Sequence, residues 1–390
     1  MFKIKILNNI AKVGLQQFPR DQFELAQQIE NPHAIIVRSH AMHSMNFPES
    51  LLAVARAGAG VNNIPVEALT HLGVPVFNTP GANANAVKEL VIAALLIAYR
   101  NIAPALSYVQ SLATQQENQL QEKVEAQKKQ FTGQELPGKK LAVIGLGAIG
   151  VEVANACAEL GMNVAGFDPA VTVARAWQLS SKVTQAQSLE AALANADVIS
   201  IHVPYNQHTH HLINTSCIMQ FKPNAMLLNF SRANVVDSQA VLQGLADQNL
   251  KQYVCDFPMK AFIEHPQIIC LPHLGASTQQ AEENCASMAA QKLKQFLIHG
   301  NIENSVNYPT VQMPRKTEGQ RLTIANANIP NMVGQISAQL ATEQLNILDM
   351  INQSRGEVAY TIVDVAGHIS QPIIDSLRAI DGILKVRVIS

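Results

Sequence analysis

The sequence has no charge excess, no paired-cysteine framework and no long apolar run, and each lack removes a class of protein. Across 390 residues, 28 Lys and Arg are balanced by 29 Asp and Glu, a net charge of −1. There is no basic field to attract nucleic acid or an anionic membrane, so any anionic substrate must be held by a few local cations. The five cysteines (Cys157, Cys217, Cys255, Cys270 and Cys285) are odd in number and never spaced as CxxC. That excludes a disulfide framework and a zinc motif, and reads as reduced thiols in a cytoplasmic protein. The longest apolar run, "LVIAALLIAY" at 90–99, is about half of what a membrane-crossing helix needs and reads as a buried helix. The opening "MFKIKILNNI" alternates charged and apolar residues, the pattern of a strand rather than of a signal peptide.

What is present is 48% hydrophobic and 15% charged, the balance of a well-buried globular protein, and the length predicts two or three domains. Residues 1–80 alternate strand-like pieces ("KIKILN", "AIIVRS", "VPVFNTP") with helical ones. A long helix is expected from about Asn85 to Ile102, followed by a polar, helix-favouring connection, "TQQENQLQEKVEAQKKQF". From Lys139 a second series begins: "KLAVIGLG", "NVAGFDP", "ADVISIHVP", "AMLLNFSR", "YVCDFP" and "IICLPH". Short apolar strands alternating with helices predict a parallel, doubly wound sheet covered on both faces. Residues 306–319 read as a linker. The remaining residues read as a separate βαββαβ unit, with strands near "RLTIAN", "LNILDMINQS", "EVAYTIVDV" and "ILKVRVIS".

Within the second series, "GLGAIG" (145–150) follows the strand "KLAVI" and opens the helix "VEVANACAEL", the context that a dinucleotide-binding GxGxxG requires. Gly145 permits the tight turn, Gly147 lets a diphosphate approach the backbone, and Gly150 lets helix pack on strand. The helix start then offers free N–H groups to the anion. Asp168 ends the next strand, eighteen residues past Gly150. A carboxylate there accepts ribose hydroxyls and repels a 2′-phosphate, which predicts NAD rather than NADP.

Arg232, Asp256 and His273 fall at the ends of later strands, where ligands collect in such sheets. Arginine forms a bidentate fork for a carboxylate, and histidine titrates near neutral pH and passes a proton either way. Arg38 and Arg56, the second ahead of the glycine-rich "AGAGVNN", serve either as anion ligands or as structural residues. The triplet His208, His210 and His211 in "HTHH" lies on a polar loop with no cysteine or acidic ligand nearby, and reads as a solvated loop rather than a metal site.

These stretches together resemble the NAD-dependent D-isomer-specific 2-hydroxyacid dehydrogenases. The resemblance rests on "RAGAGVNNIPVE", "FNTPGANANAVKEL", "GLGAIG", "FSRANVVD", "CDFP" and "LPHLGAST". It implies an α/β fold of two doubly wound parallel-sheet domains, a Rossmann-like cofactor domain (98–290) inserted in a flavodoxin-like substrate domain (1–97 and 291–317). The tail, 318–390, is similar to a ferredoxin-like ACT domain, a small-molecule regulatory module. The implied activity is NAD-dependent oxidation of 3-phospho-D-glycerate, at the head of L-serine synthesis. Oxidation of another D-2-hydroxy acid, or NAD sensing by a weakened active site, are the alternatives.

Carried over by position, Ala59, Ala148, Ile149, Asp168, Val203, Phe230, Ser231, Asp256, Gly275 and Ala276 would approach the cofactor. Arg232 would hold the substrate carboxylate and C2 oxygen, with Arg38, Arg56 and Asn83 on the rest of the substrate. His273 would take the C2 hydroxyl proton. In the tail, Asn326 and Asn328 at a helix start, with Asn346 from the next strand, would bind L-serine. The resemblance further implies a homodimer or homotetramer, and the cysteine and histidine spacing predicts no metal. One departure stands out. The family's histidine is usually paired with a glutamate, and counting from Arg232 that position is Ala261; the nearest downstream carboxylate is Glu264.

Overall fold

The computed structural model describes residues 1–316 and 318–389, apart from the side chain of Asn118. Thr317 and Ser390, the ends of two of the expected domain segments, lie outside the described residues. The chain divides into two compact units, one of residues 1–82 with 282–390 and one of residues 83–281.

The first unit contains two sheets. Strands β1 (Phe2–Leu7), β2 (Phe23–Ala26), β3 (Ala34–Val37), β4 (Ala53–Arg56) and β5 (Val76–Phe77) form a parallel sheet ordered β2-β1-β3-β4-β5.

The second unit is built on seven parallel strands: β6 (Lys140–Ile144), β7 (Asn163–Phe167), β8 (Thr184–Gln185), β9 (Val198–Ile201), β10 (Ala225–Asn229), β11 (Leu250–Cys255) and β12 (Ile268–Cys270). Their order is β12-β11-β10-β9-β6-β7-β8, so the direction of winding reverses beside β6. The central strands are buried on both faces, as their largely apolar sequences require, with Ser200 and Asn229 the polar residues among them. The long helix runs Ala84–Tyr99, shorter than expected. Asn101 adopts the left-handed region (φ 52°) and a second helix, Ile102–Ser111, sets off at 64° to the first. Among the described residues no single helix is long and apolar enough to cross a membrane. The polar connection is helical over Glu117–Gln127.

Back in the first unit, β13 (Gln320–Ala327), β14 (Asn346–Arg355), β15 (Val358–Ala366) and β16 (Ile383–Ile389) make an antiparallel sheet ordered β14-β15-β13-β16. Helices Met332–Thr342 and Gln371–Arg378 share its apolar core, completing βαββαβ. Arg321, fully buried, pairs in bidentate fashion with Asp364 (2.7 and 2.8 Å) and donates to the carbonyls of His299, Met313 and Pro314. Arg387 donates to Phe296 and Leu297. Two cations of this sheet thus satisfy last-turn carbonyls of the helix Gln279–His299, groups that have no partner within their own helix.

Candidate active site

In the second unit one register row organises the chemistry. Phe167, Ile144, Ile201, Asn229, Cys255 and Cys270 lie side by side across six parallel strands. Most of the cofactor and catalytic candidates in this unit follow that row by a few positions. Gly145 comes directly after Ile144, Asp168 after Phe167 and Asp256 after Cys255. Val203 follows Ile201, and Phe230, Ser231 and Arg232 follow Asn229, while His273, Gly275 and Ala276 follow Cys270. The sheet therefore gathers at one edge, the carboxyl ends of its strands, residues that are far apart in sequence.

At the centre is the glycine turn. Gly145 has φ +93°, a conformation that L side chains avoid. A Cβ on Gly150 would stand 1.8 Å from the Gly145 carbonyl oxygen, whereas one on Gly147 would meet nothing within 4 Å. So helix Ala148–Glu159, with Ala148 and Ile149 in its first turn, packs hard on the strand yet leaves open space at its N-terminus. That is the room a diphosphate needs to reach the free N–H groups. Asp168 accepts the backbone N–H of Leu146 and of Ala170, both at 2.8 Å, so the ribose-binding candidate also holds the glycine turn. These residues fit a bound dinucleotide.

Beneath this turn lies His202. Its Nε2 meets Ser200 Oγ at 2.8 Å, its Nδ1 is buried without a partner, and burial pushes the imidazole down to about 3.

Arg232 and His273 are exposed, and each stands on a turn held from below. Asn229, fully buried, accepts from Ser231 N (3.1 Å) and Ser231 Oγ (3.0 Å) and donates to the Arg232 carbonyl (3.0 Å). The Arg232 guanidinium turns back to the Ser231 carbonyl at 2.6 Å. Asp256, 1% exposed, accepts from Leu274 N and Gly275 N, each at 2.7 Å. Gly275 and Ala276 form the middle of the turn closed by Ser277 N to Leu274 O. His273 has φ +58°, in the left-handed region, and its ring meets Phe257 edge to face at 5.3 Å. Ala261 lies in the short helix Lys260–Ile263, and exposed Glu264 ends it with helical backbone (φ −88°, ψ −5°). Asn83 precedes the helix Ala84–Tyr99, its Oδ1 buried without a partner.

In the first unit, Arg38 follows β3 and Arg56 ends β4. Arg38 pairs with Glu282 at 2.7 Å, both side chains more than a third exposed. Arg56 donates to the carbonyls of Arg38 (2.9 Å) and Gly60. Ala59 lies in the loop that follows, its carbonyl accepting from Asn78. In the antiparallel sheet a cavity of about 150 Å³ is lined by Asn326, Asn328, Asn331 and Asn352 among others. Asn326 Oδ1 there is buried and unpartnered. Asn346, at the start of β14, does not line it.

The sheet, the glycine turn and the strand-end residues define a dinucleotide-dependent dehydrogenase of the doubly wound class. A family model described as D-isomer specific 2-hydroxyacid dehydrogenase, NAD binding domain, matches residues 95–275. The D-3-phosphoglycerate dehydrogenase of Haemophilus influenzae is 32% identical over 384 residues, spanning 95% of this chain and 89% of that protein. That of Escherichia coli K12 is 29% identical over 385 residues, spanning 95% and 90%. Among solved structures, the NAD+-bound 3-phosphoglycerate dehydrogenase of Entamoeba histolytica superposes with a TM-score of 0.59 at 22% identity, covering 78% of this chain and 98% of that one. At that identity the likeness is one of fold. The chain belongs to the D-3-phosphoglycerate dehydrogenase family of D-isomer-specific 2-hydroxyacid dehydrogenases. Its cofactor is NAD.

Asn229 and His202 belong to no motif in the sequence. A signal for the first was present: a lone amide closing the otherwise apolar strand "AMLLN" is costly unless every polar atom is bonded.

Proposed function

We propose that this protein oxidises 3-phospho-D-glycerate at C2 to 3-phosphohydroxypyruvate, the first step of L-serine synthesis, in the cytoplasm. When bound, NAD supplies the acceptor for the C2 hydride. His273 takes the C2 hydroxyl proton, and returns it in the reverse direction. Arg232 grips the substrate carboxylate and C2 oxygen, and Asn83 bonds the substrate. Arg38 and Arg56 hold the phosphate; a triply anionic substrate on a nearly neutral protein needs such concentrated cations. Ala59, Val203, Phe230, Ser231 and the turn from Gly275 to Ala276 shape the cofactor site. The observation that carries this reading is the shared register row, which brings the glycine turn, Asp168, Arg232 and His273 to one sheet edge.

In this reading residues 1–97 and 291–317 bind substrate, 98–290 bind NAD, and 318–390 are an ACT domain. The cavity at Asn326 and Asn328 takes the carboxylate of L-serine, with Asn331 and Asn352 as further ligands. The protein is a homo-oligomer whose helix Ile102–Ser111, with Leu106 and Val109 more than half exposed, meets its counterpart.

The deciding assay is NADH formation with 3-phospho-D-glycerate against D-glycerate and D-lactate. The reading requires the phosphorylated substrate to win by kcat/KM, and loses if an unphosphorylated acid is preferred. The alanine at position 261 favours one other reading, an NAD-sensing regulator. It predicts stoichiometric NADH binding with no turnover of any of the three acids.

A further inference from the structure

We propose that Asn229 is a positioning residue for Arg232, setting the direction of its guanidinium without touching substrate or cofactor. The inference rests on the proposed role of Arg232.

A side-chain amide has two donors and two acceptor lone pairs, and Asn229 uses all four. Its Oδ1 accepts both the backbone N–H and the hydroxyl of Ser231, at 3.1 and 3.0 Å. Its Nδ2 donates to the Arg232 carbonyl at 3.0 Å and to the Tyr253 hydroxyl at 3.3 Å. The two residues between it and Arg232, and Arg232 itself, are thereby wound into one closed turn. The Ser231 carbonyl, fixed by that turn, is in turn the acceptor for Arg232 Nη1 at 2.6 Å. Bond by bond, the orientation of an exposed cation is traced to a side chain with no exposed surface.

Tyr253 supplies the rigid floor. It is 2% exposed on β11, and its ring meets Phe262 edge to face at 5.5 Å. Burial holds its hydroxyl well above the ordinary tyrosine range, so it remains a neutral hydrogen-bond partner. The Asn229 carbonyl also accepts Asp256 N at 3.2 Å, which joins this turn to the strand that carries the support of the His273 turn.

A purely structural amide would cost stability when removed and leave the kinetics of the folded enzyme alone. A positioning amide loses rate because Arg232 no longer meets the carboxylate at the productive angle. Misplacement of about 1 Å costs on the order of 10²-fold. The test is steady-state kinetics of Asn229→Ala, Asn229→Asp and Tyr253→Phe, each normalised to active sites by NADH titration, with Arg232→Ala alongside. Expected are a rise in KM for 3-phospho-D-glycerate, a fall in kcat/KM of about 10²-fold for the Asn229 variants, and, since Ser231 also stands in the proposed cofactor site, a loss of NADH affinity much smaller than the loss of kcat/KM. Tyr253→Phe removes one partner and keeps the ring, so it gives a milder loss of the same kind and serves if the Asn229 variants fail to fold. In the double variant Asn229→Ala/Arg232→Ala the losses should not add, because both remove one device. If Arg232→Ala is impaired but the variants that fold keep wild-type kcat and KM, or the losses add in full, the inference is overturned. If Arg232→Ala is itself fully active, the role given to Arg232 fails instead.

Discussion

Asp256 spends both carboxylate oxygens on the backbone just past His273, accepting Leu274 N and Gly275 N at 2.7 Å each. The left-handed backbone of His273, φ +58°, is thus held by a buried anion eighteen and nineteen residues upstream of the amides it binds. Replacing Asp256 by Asn turns one acceptor into a donor that faces an N–H. An unsatisfied buried group costs about 1–3 kcal/mol, so Asp256→Asn should lower kcat/KM by roughly ten- to a hundredfold. Steady-state kinetics would show it, and a wild-type rate would mean that the turn holds itself.

A second outcome concerns cofactor choice. Asp168 should face the 2′ position of the adenosine ribose, so the native protein should prefer NAD to NADP and Asp168→Ser should narrow that preference. Because Asp168 also accepts Leu146 N and Ala170 N, the same change should loosen the glycine turn and weaken NAD binding itself. Titration with NADH and NADPH checks both parts. Equal use of the two cofactors by the native protein would remove Asp168 from the ribose.

Much of this was legible in the sequence. The glycine turn was, because Gly145, Gly147 and Gly150 sit between an apolar strand and a helix, and each has its own steric reason there. The four strands of the antiparallel sheet were too, since two helical runs and one tight turn separate their apolar stretches cleanly. The short strands β2 and β4 were not. "FELA" is too brief for a period, and "AVAR" runs straight into the glycine-rich turn that follows Arg56. Nor was the helix break at Asn101 legible, because a left-handed residue between two helical runs leaves composition unchanged. The supports of Arg232 and His273 escaped for another reason. They are side chains bonded to backbone, and strand register rather than local pattern brings Asp256 to Leu274.

Arg38 and Glu282 offer a more graded test. Their pair is 2.7 Å long but more than a third exposed on both sides, so it is worth about 0–1 kcal/mol. If Arg38 binds the substrate phosphate, Glu282 competes with that phosphate. Arg38→Ala and Arg56→Ala should each raise KM for 3-phospho-D-glycerate, by roughly ten- to a hundredfold for a lost charge-assisted contact. Glu282→Gln should lower it by up to about fivefold. An unchanged KM in both arginine variants would take the phosphate away from these residues.

His202 makes stability depend on pH. The unfolded chain takes up this proton near the ordinary value of 6.5, the folded one only near 3, because the ring is buried. Protonation therefore favours unfolding across that window. The contribution is fully present above about pH 6.5 and is lost as the pH falls, by at most about 1.4 kcal/mol per unit. Melting temperatures of the ligand-free protein should fall between about pH 7 and 5, and His202→Gln should flatten that slope. Parallel curves for the two proteins would place the acid sensitivity elsewhere.

The remaining question is what serves His273 in place of the usual carboxylate. Ala261 stands where the family's glutamate is expected, yet the segment around it is helical: Lys260–Ile263 forms one turn, and Glu264 continues it with φ −88° and ψ −5°. Residues three apart on a helix share a face, so Glu264 presents a carboxylate from the same side of this turn as Ala261. On this ground Glu264 is expected to orient the ring, and Glu264→Gln should lower kcat by about tenfold while leaving NADH affinity unchanged. A silent Glu264→Gln would mean that no carboxylate has taken over. In that case Ala261→Glu, which restores the expected residue on a solvent-facing position, should raise the rate above that of the native protein. His273→Gln should abolish turnover under either outcome and still bind NADH, since the turn is held by Asp256 through backbone groups that the substitution leaves in place. Full activity in that variant would refute the proton-transfer mechanism, whichever glutamate stands nearby.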